Sequence, residues 1–576
     1  MKILLVDTLT TLEKAVRQQG HEVLSLNLDG GIFHLPALLD RHGFIPDLVL
    51  QQERLGPRAF FSGLDELPCP TVFWAIDSHL NLFWQRWYCL LFDAVLTPHV
   101  SLFEALPPQP RPPHLARFAW PGSHRAFKPH AERTNALGLC ARIDGHRPVR
   151  GWMTELLAPL GLRPRDGLSY AAMMDLYDDS RAVPNESIAN EVNFRLMEAA
   201  SAGCLVLTPD VGGDQNALLE PGTECLVYRD GLELFEFAAW AAARPDRTEN
   251  LGRAAMRRIQ AEHLPEHRAA LLTGLGTELS GGRLRGEAAG AAFWLTLALQ
   301  TRNGGMRINA ATHAGNGRAL GARLLASDDA TLRRLGLQVM TQTLLLYAEP
   351  AGNDPEAASL LREALIRDSE RNGARTGEED KTRAPLACLE LASACSASAL
   401  ALGNFSLAGA CLLAWQTRQP PPAASIAKPP RTPSELCAAW ARAFARQGTI
   451  FWSGFRFAPE NGSLPESAFA WLLYGMHLDP DNTAFSTLAA DILAGSPSLL
   501  HLRLGFLARQ SLAEPGNWRA QQDYGLAAIR ACRVEAGLAE LREARASALT
   551  AGRERAFMER LRAKSSVERS WQSCLS

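Results

Sequence analysis

Apolar and polar positions follow two regimes along this chain. In the first half short apolar runs alternate with amphipathic stretches. Lys2 to Asp7 is an apolar run closed by an acid, Thr11 to Gln19 has helical spacing, and Gly20 to Leu26 returns to strand character. Strand, helix and strand in that order open a βαβ unit. Pro46 to Leu50 and Thr71 to Ile76 predict further strands, and Cys204 to Leu207 another, stopped by Pro209. From Arg283 onwards Ala- and Leu-rich helical patterns broken by polar stretches take over. The expected organisation is a Rossmann-like domain over 1–118, a second over 119–275, a helical domain over 283–417, a Pro-rich linker over 418–433 and helical repeats over 434–576.

The segment Asn185 to Asp230 concentrates polar chemistry. Glu191, Arg195 and Glu198 recur at i, i+4 and i+7, which predicts one polar face of a helix opposite Phe194, Leu196, Met197 and Ala200. Gly203 ends that helix, and the strand after it runs into the turn Val211, Gly212, Gly213, Asp214. Open α/β sheets bind ligands beyond the carboxyl ends of their strands, and a turn without side chains admits a ligand to the backbone. The segment reads as a ligand site.

These residues resemble the retaining glycosyltransferases of the GT-B fold, in the glycosyltransferase-4-like clan and its branch related to the spore maturation protein CgeB. The likeness lies in Asn193 to Gly203, then Gly212 and Gly213, then Glu220 to Asp230. It implies two Rossmann-like domains facing a cleft, the first on the acceptor side and the second holding a nucleotide sugar. In that clan an acidic residue, seven others and a Glu lead into this helix; the second Glu binds the donor ribose and the glycine turn lies against the donor sugar. Glu198 matches that second Glu. Seven residues lie between Asn190 and Glu198, so Asn190 occupies the first position unless the register shifts to Glu191.

Upstream, Trp120 to Pro129 is similar to the clan's entry into its second domain, with His124 in place of the usual Asp and the gap to Phe127 one residue short. Ala136 to Arg142, then Arg147 and Arg150, is similar to the strand, glycine and basic pair that meet the donor diphosphate. A fixed guanidinium suits a departing diphosphate without requiring a metal. Arg142 and Arg150 are the candidates for that role; the alternative for each is surface solvation.

In the first domain, Asp7 to Leu12 lacks the G-x-G-x-x-G of a dinucleotide-binding turn, which disfavours a nicotinamide dehydrogenase. Asp77 and His79 follow the strand ending at Ile76, where an active-site loop belongs. The resemblance makes them candidate contacts for the acceptor or leaving group; for Asp77 the alternative is capping a helix beginning near Asn81. Phe83, Trp84, Trp87 and Tyr88 read as core or as a domain-interface face.

Composition narrows the classes. With 576 residues, 47% of them hydrophobic, and a net charge of −2, the chain has ample core for three or so domains. The neutral balance disfavours a nucleic-acid binder. No signal peptide and no apolar stretch of membrane-spanning length is legible, so a cytoplasmic location is expected. The 11 cysteines are scattered without C-x-x-C pairs, which predicts reduced core thiols. Asp175, Asp178 and Asp179 form an acidic cluster that reads as a solvated helix end rather than a magnesium site.

In the helical half, Asn482 and Asn517 stand 35 residues apart, each ahead of a pair of helical patterns, close to the period of a tetratricopeptide repeat. Such repeats stack into a groove suited to a peptide; the alternative is a brace packed against the transferase. The whole reads as a retaining glycosyltransferase that uses no metal or cofactor, takes a UDP- or GDP-sugar as substrate and receives a protein acceptor through its repeats. The alternative is an inactive scaffold for protein interaction.

Overall fold

The structure is a computed structural model that describes residues 1–106, 111–279, 281–351, 385–416, 429–452, 454–494, 496 and 499–564. The first part runs β1 (Lys2–Val6), α1 (Thr10–Gln18), β2 (Glu22–Leu26), β3 (Gly31–His34), α2 (Leu35–His42), β4 (Leu48–Gln52), β5 (Ala59–Ser62), β6 (Thr71–Trp74), α3 (Ser78–Tyr88), β7 (Ala94–Thr97), α4 (Val100–Glu104) and β8 (Leu115–Arg117). Six strands form a parallel sheet in the order β2-β1-β4-β6-β7-β8, and β3 pairs with β5 apart from it. Strands β4, β6 and β7 are buried throughout, as parallel strands covered on both faces must be. The apolar runs predicted β1, β2, β4 and β6; the short β3 and β5 carried no such run.

The second part runs β9 (Asn135–Leu137), α5 (Pro148–Leu157), α6 (Tyr170–Asp178), β10 (Ser180–Pro184), α7 (Phe194–Ser201), β11 (Leu205–Pro209), α8 (Gly213–Asn216), β12 (Cys225–Tyr228), α9 (Gly231–Ala243), α10 (Pro245–Glu262) and α11 (Pro265–Glu278). Its four strands are parallel in the order β12-β11-β10-β9. The fold is thus α/β with parallel sheets, followed by an all-helical region that opens with α12 (Gly286–Arg302), α13 (Ala310–Leu325) and α14 (Ala330–Ala351).

The chain divides into two compact units, Met1–Phe118 with Leu272–Phe485, and Ala119–Leu271 with Ser486–Ser576. The expected helical block over 283–417 falls within the first unit, and the expected block over 434–576 divides between the two. The first unit has a shared core. Leu295, Ala298 and Leu299 of α12 pack into the same apolar cluster as Phe83, Trp84 and Trp87 of α3. Arg283, just before α12, forms a buried ion pair with Asp93 and donates to the carbonyl of Cys69 at 3.1 Å. The same carboxylate accepts the backbone N–H of Thr71 at 2.9 Å, so the start of the helical region is fixed to the edge of β6.

The aromatic residues Phe83, Trp84, Trp87 and Tyr88 are interior packing. Trp84 and Tyr88 stand edge-on to Phe60 at 5.4 Å and 5.2 Å, and the Tyr88 hydroxyl donates to Gln51 Oε1 at 2.8 Å.

In the second unit the helices Trp518–Arg530 and Val534–Thr550 form an antiparallel hairpin. Gly525 and Gly537 face each other across it; a Cβ on Gly537 would stand 2.6 Å from the Gly525 carbonyl oxygen, so the two backbones meet directly. Asn517 caps the first of these helices; in the first unit, Asn482 accepts the N–H of Ala484 at 3.2 Å. Residues 418–428 of the Pro-rich linker and residues 371–381 lie outside the described residues.

Candidate functional site

The carboxyl ends of β9, β10, β11 and β12 are tied together by one buried network centred on Asn185. Its Oδ1 accepts Asn193 Nδ2 at 2.9 Å and Arg195 Nη1 at 2.7 Å, while its Nδ2 donates to Thr208 Oγ1 at 3.1 Å. Its backbone carbonyl accepts the Tyr228 hydroxyl at 2.7 Å. Thr208 Oγ1 donates onward to Gln215 Oε1 at 2.9 Å, and Arg195 Nη2 reaches the Cys140 carbonyl at 3.3 Å. Every strand end therefore has a partner on another, which gives the edge a fixed geometry before any ligand arrives.

Two arginines pair with acids beside this network, Arg147 reaching Glu186 at 3.4 Å as well as Glu191. Arg150 Nε and Nη2 both contact Glu186 Oε2 at 3.1 Å, and Arg150 Nη1 donates to the Arg142 carbonyl at 3.2 Å. Arg147 grips Glu191 with both terminal nitrogens, at 2.7 Å and 3.2 Å, in the fork geometry a guanidinium offers a carboxylate. Arg150 is buried and its guanidinium already engaged, so it holds the 142–150 loop rather than standing open to an anion. Arg142 is exposed and makes no ion pair or side-chain hydrogen bond among the described residues.

Helix α7 begins at Phe194. This corrects the expected polar helical face: Glu191 precedes the helix, Arg195 is buried in the Asn185 network, and only Glu198 remains on the edge. The chain departs from the helical path because Ala189 and Asn190 take φ of 51° and 61°, two left-handed residues in succession. Asn tolerates that region and Ala does not, so the turn is strained by roughly 1 kcal/mol. Asn190 sits in that turn, and Glu191 is the residue there that meets a cation.

Glu198 lies among Arg195, Cys140 and Tyr177, and its carboxylate makes no hydrogen bond among the described residues. Burial pushes its pKa up to about 7, with the charge of Arg195 pulling the other way. A half-buried acid on a helix without a donor is costly to the fold. The glycine turn is open as well: a Cβ on Gly212 or on Gly213 would meet nothing within 4 Å. The two differ in backbone. Gly212 has φ 88° and ψ −161°, a region essentially closed to other residues, whereas Gly213 starts α8. Gly212→Ala is expected to cost about 1 kcal/mol in a denaturant titration while Gly213→Ala leaves the midpoint unmoved.

Other expected features are structural. Trp120 lies against Phe194 with ring centres 4.2 Å apart and ring planes inclined at 37°, Phe127 lies under the Arg253 guanidinium at 3.7 Å, and a Cβ on Gly122 would stand 2.4 Å from the Ile259 side chain. The 120–129 segment is thus a strap packed on α7 and α10. His124 is exposed and pairs with Glu266 at 2.9 Å. Asp178 pairs with Arg125 and Asp179 with Lys128, so the acidic cluster is occupied by cations. Among the described residues no group of three or more His, Cys, Asp or Glu is arranged to hold a metal ion.

In the first unit, Asp77 and Ser78 lie at the carboxyl end of β6 at the start of α3; the Asp77 side chain does not cap the helix. His79 is buried in the first turn of α3, its ring 5.1 Å from that of His99. Asp77 is half-buried, so of the two it is the one with access to solvent. Sequence reasoning missed Glu53, which organises this loop. Its buried carboxylate accepts the backbone N–H groups of Ile76 and Asp77 at 2.8 Å each, Asn81 Nδ2 at 2.7 Å and Gln85 Nε2 at 2.7 Å. Burial raises its pKa, against which Arg58 and these donors act. The available signal was the polar trio Gln51, Gln52, Glu53 closing an otherwise apolar strand.

Residues 124–274 match the family model described as glycosyl transferase-like. No curated protein matches the chain. Among solved structures it is similar to sucrose-phosphate synthase from Thermosynechococcus elongatus at 12% identity, over 48% of this chain and 99% of that one, with a TM-score of 0.36. It is similar to the pneumococcal O-GlcNAc transferase GtfA at 10% identity, over 42% and 59%, with a TM-score of 0.31. A third, described as a UDP-N-acetylglucosamine 2-epimerase from Listeria monocytogenes, shares 12% identity over 48% and 95%, with a TM-score of 0.32. No helix among the described residues is long and apolar enough to cross a membrane. The chain carries a glycosyltransferase-like domain over residues 124–274, built around the parallel sheet β9 to β12.

Proposed function

We propose that this protein transfers a sugar from a nucleotide donor to an acceptor, with the donor held at the carboxyl edge of β9 to β12. The observation that carries the reading is Glu198, a carboxylate with a raised pKa and no hydrogen-bond donor of its own, in the glycosyltransferase-like segment and on the same sheet edge as an open glycine turn. Ribose hydroxyls would supply the missing donors. Arg142, exposed, meets the diphosphate; Arg150 positions it by holding its carbonyl. Gly212 and Gly213 give the sugar room. In the first unit Asp77 orients the acceptor hydroxyl.

The finer reading is a retaining, metal-independent transfer in the cytoplasm, from a UDP- or GDP-sugar to a protein received by tetratricopeptide-like helices, with the leaving phosphate taking the acceptor proton. The family resemblance in the sequence supports the retaining course and the two Asn-headed helix pairs support the repeats. A second reading, a silent scaffold, is favoured by one observation: Arg147 and Arg150 already carry carboxylate partners.

Calorimetry and thermal shift of the full chain against UDP, GDP, ADP, CMP and their sugars decide between them. Ligands that bind only the native state raise the melting temperature. One nucleotide series is expected to bind, and its sugar to be hydrolysed or transferred slowly. A folded protein that binds none of them overturns the transferase reading in favour of the scaffold.

A further inference from the structure

The hairpin of Trp518–Arg530 and Val534–Thr550 does not end at the surface. Its turn, Ala531 to Arg533, enters the core of the second α/β domain: Ala531 is 0% exposed and Cys532 3%. Cys532 belongs to the apolar cluster that holds Leu205, Leu207, Tyr228 and Leu234. It takes φ 65°, a left-handed conformation that costs a non-glycine residue about 1 kcal/mol and persists only where its surroundings impose it.

It closes the C-terminal turn of the first helix, where the Arg533 N–H donates to the Ala528 carbonyl at 2.8 Å and the Cys532 N–H to that of Ile529 at 3.1 Å; against this turn lies Gly231, the first residue of α9. A Cβ there would stand 2.8 Å from Cys532 Cα, 2.9 Å from the Ile529 carbonyl oxygen and 2.9 Å from Val534 Cγ2. Two of these three are backbone atoms, so the approach requires glycine. Around this point Arg533 covers the Trp152 ring of α5 at 5.3 Å, and Leu232 packs on the cluster of Trp518, Ile529 and Leu541.

The docking point is next to the site. Asp230 caps α9 immediately after β12, and Tyr228, two residues earlier, donates its hydroxyl to the Asn185 carbonyl at 2.7 Å. Asn185 in turn fixes Arg195 and Asn193. We propose that the C-terminal helical turn is a positioning element of the donor site: docked on Gly231, it holds Tyr228 in place and, through Tyr228 and Asn185, the loop from Asn185 to Asn193 that carries Glu186 and Glu191. The C-terminal hairpin is then a working part of the nucleotide domain. Its effect on nucleotide affinity rests on the function proposed above; its effect on the loop does not.

The test is Gly231→Val in the full chain, with Arg533→Ala as a milder variant that weakens docking without a clash. Amide hydrogen exchange is followed across 185–195 and 518–550 without ligand, and affinity for the nucleotide identified by the screen is measured by calorimetry. In Gly231→Val both segments are expected to exchange at least tenfold faster and nucleotide binding to weaken at least tenfold, while β1, β4 and β6 keep their protection. Arg533→Ala should move both segments together by less. The inference is overturned if 518–550 loosens while 185–195 keeps wild-type protection, or if Gly231→Val leaves 518–550 unchanged. Should Gly231→Val unfold the second domain outright, the same criterion is applied to Arg533→Ala. A wild-type protein that binds no nucleotide would defeat the proposed function, and the exchange data would still decide this inference.

Discussion

Glu198→Gln is expected to stabilise the free protein at pH 8 and, in the same variant, to weaken nucleotide binding. The free Glu198 carboxyl has its pKa raised from 4.5 to about 7 by burial. An acid whose folded pKa lies above its unfolded one contributes stability that is full below the unfolded value and is lost as pH rises through the folded value. Between pH 5 and pH 8 the wild type therefore loses stability, and above pH 7 the folded protein carries an ionised carboxylate without donors. A shift of that size corresponds to a ceiling of about 3 kcal/mol, and incomplete burial brings the expected gain in the neutral, isosteric variant to about 2 kcal/mol. Denaturant titrations at pH 5 and pH 8 should show the variant's advantage only at the higher pH.

Binding should move the other way. Ribose hydroxyls donate to the ionised form, and a hydrogen bond to a charged group contributes about 1.5–3 kcal/mol. Wild-type affinity should fall as pH is lowered from 8 to 6, and the variant should bind at least tenfold more weakly at pH 8 with no such pH dependence. Stability gained where binding is lost is the signature of a residue kept for a ligand. If Glu198→Gln changes neither quantity, Glu198 is a solvated side chain and the donor site is elsewhere.

The strands and the glycine turn were legible because they rest on local rules. β1 and β6 are apolar runs, Gly203 stops a helix, and Gly212 occupies a backbone region that other residues avoid. The site's wiring was not legible, because it is made by residues far apart in sequence. Arg150 looks open as a residue type, and what closes it is Glu186, brought beside it by the pairing of β9 with β10. The spacing of Glu191, Arg195 and Glu198 is helical, yet the left-handed pair Ala189 and Asn190 delays the helix to Phe194, since the ion pair with Arg147 and the Asn185 network outweigh local propensity. His79 was read as a loop residue because its helix was expected near Asn81; starting at Ser78, that helix carries the ring inward. The meeting of Cys532 with Gly231 spans some three hundred residues of chain and leaves no local trace.

Glu53→Ala is expected to have the largest effect of any single change at the carboxyl edge of the first sheet. It removes the acceptor from four donors at once, three buried and one half-buried: the amides of Ile76 and Asp77 and the side chains of Asn81 and Gln85. Each donor left without a partner costs about 1–3 kcal/mol, and water entering the space recovers part of that, so a loss of about 4 kcal/mol is expected. Glu53→Gln keeps the shape and one acceptor oxygen but turns an amide N–H₂ towards other donors, which places it between the alanine variant and wild type, near 2 kcal/mol by the same reasoning. Denaturant midpoints measured on the transition of the first unit should therefore fall in the order wild type, Gln, Ala. Because Glu53 holds the two consecutive amides that lead into Asp77, the Gln variant should also lose transfer activity while nucleotide affinity, set by residues of the second unit, stays at the wild-type value. Equal midpoints for all three proteins would mean that the four donors find other acceptors. Unchanged transfer in a folded Gln variant would remove Asp77 from the acceptor side.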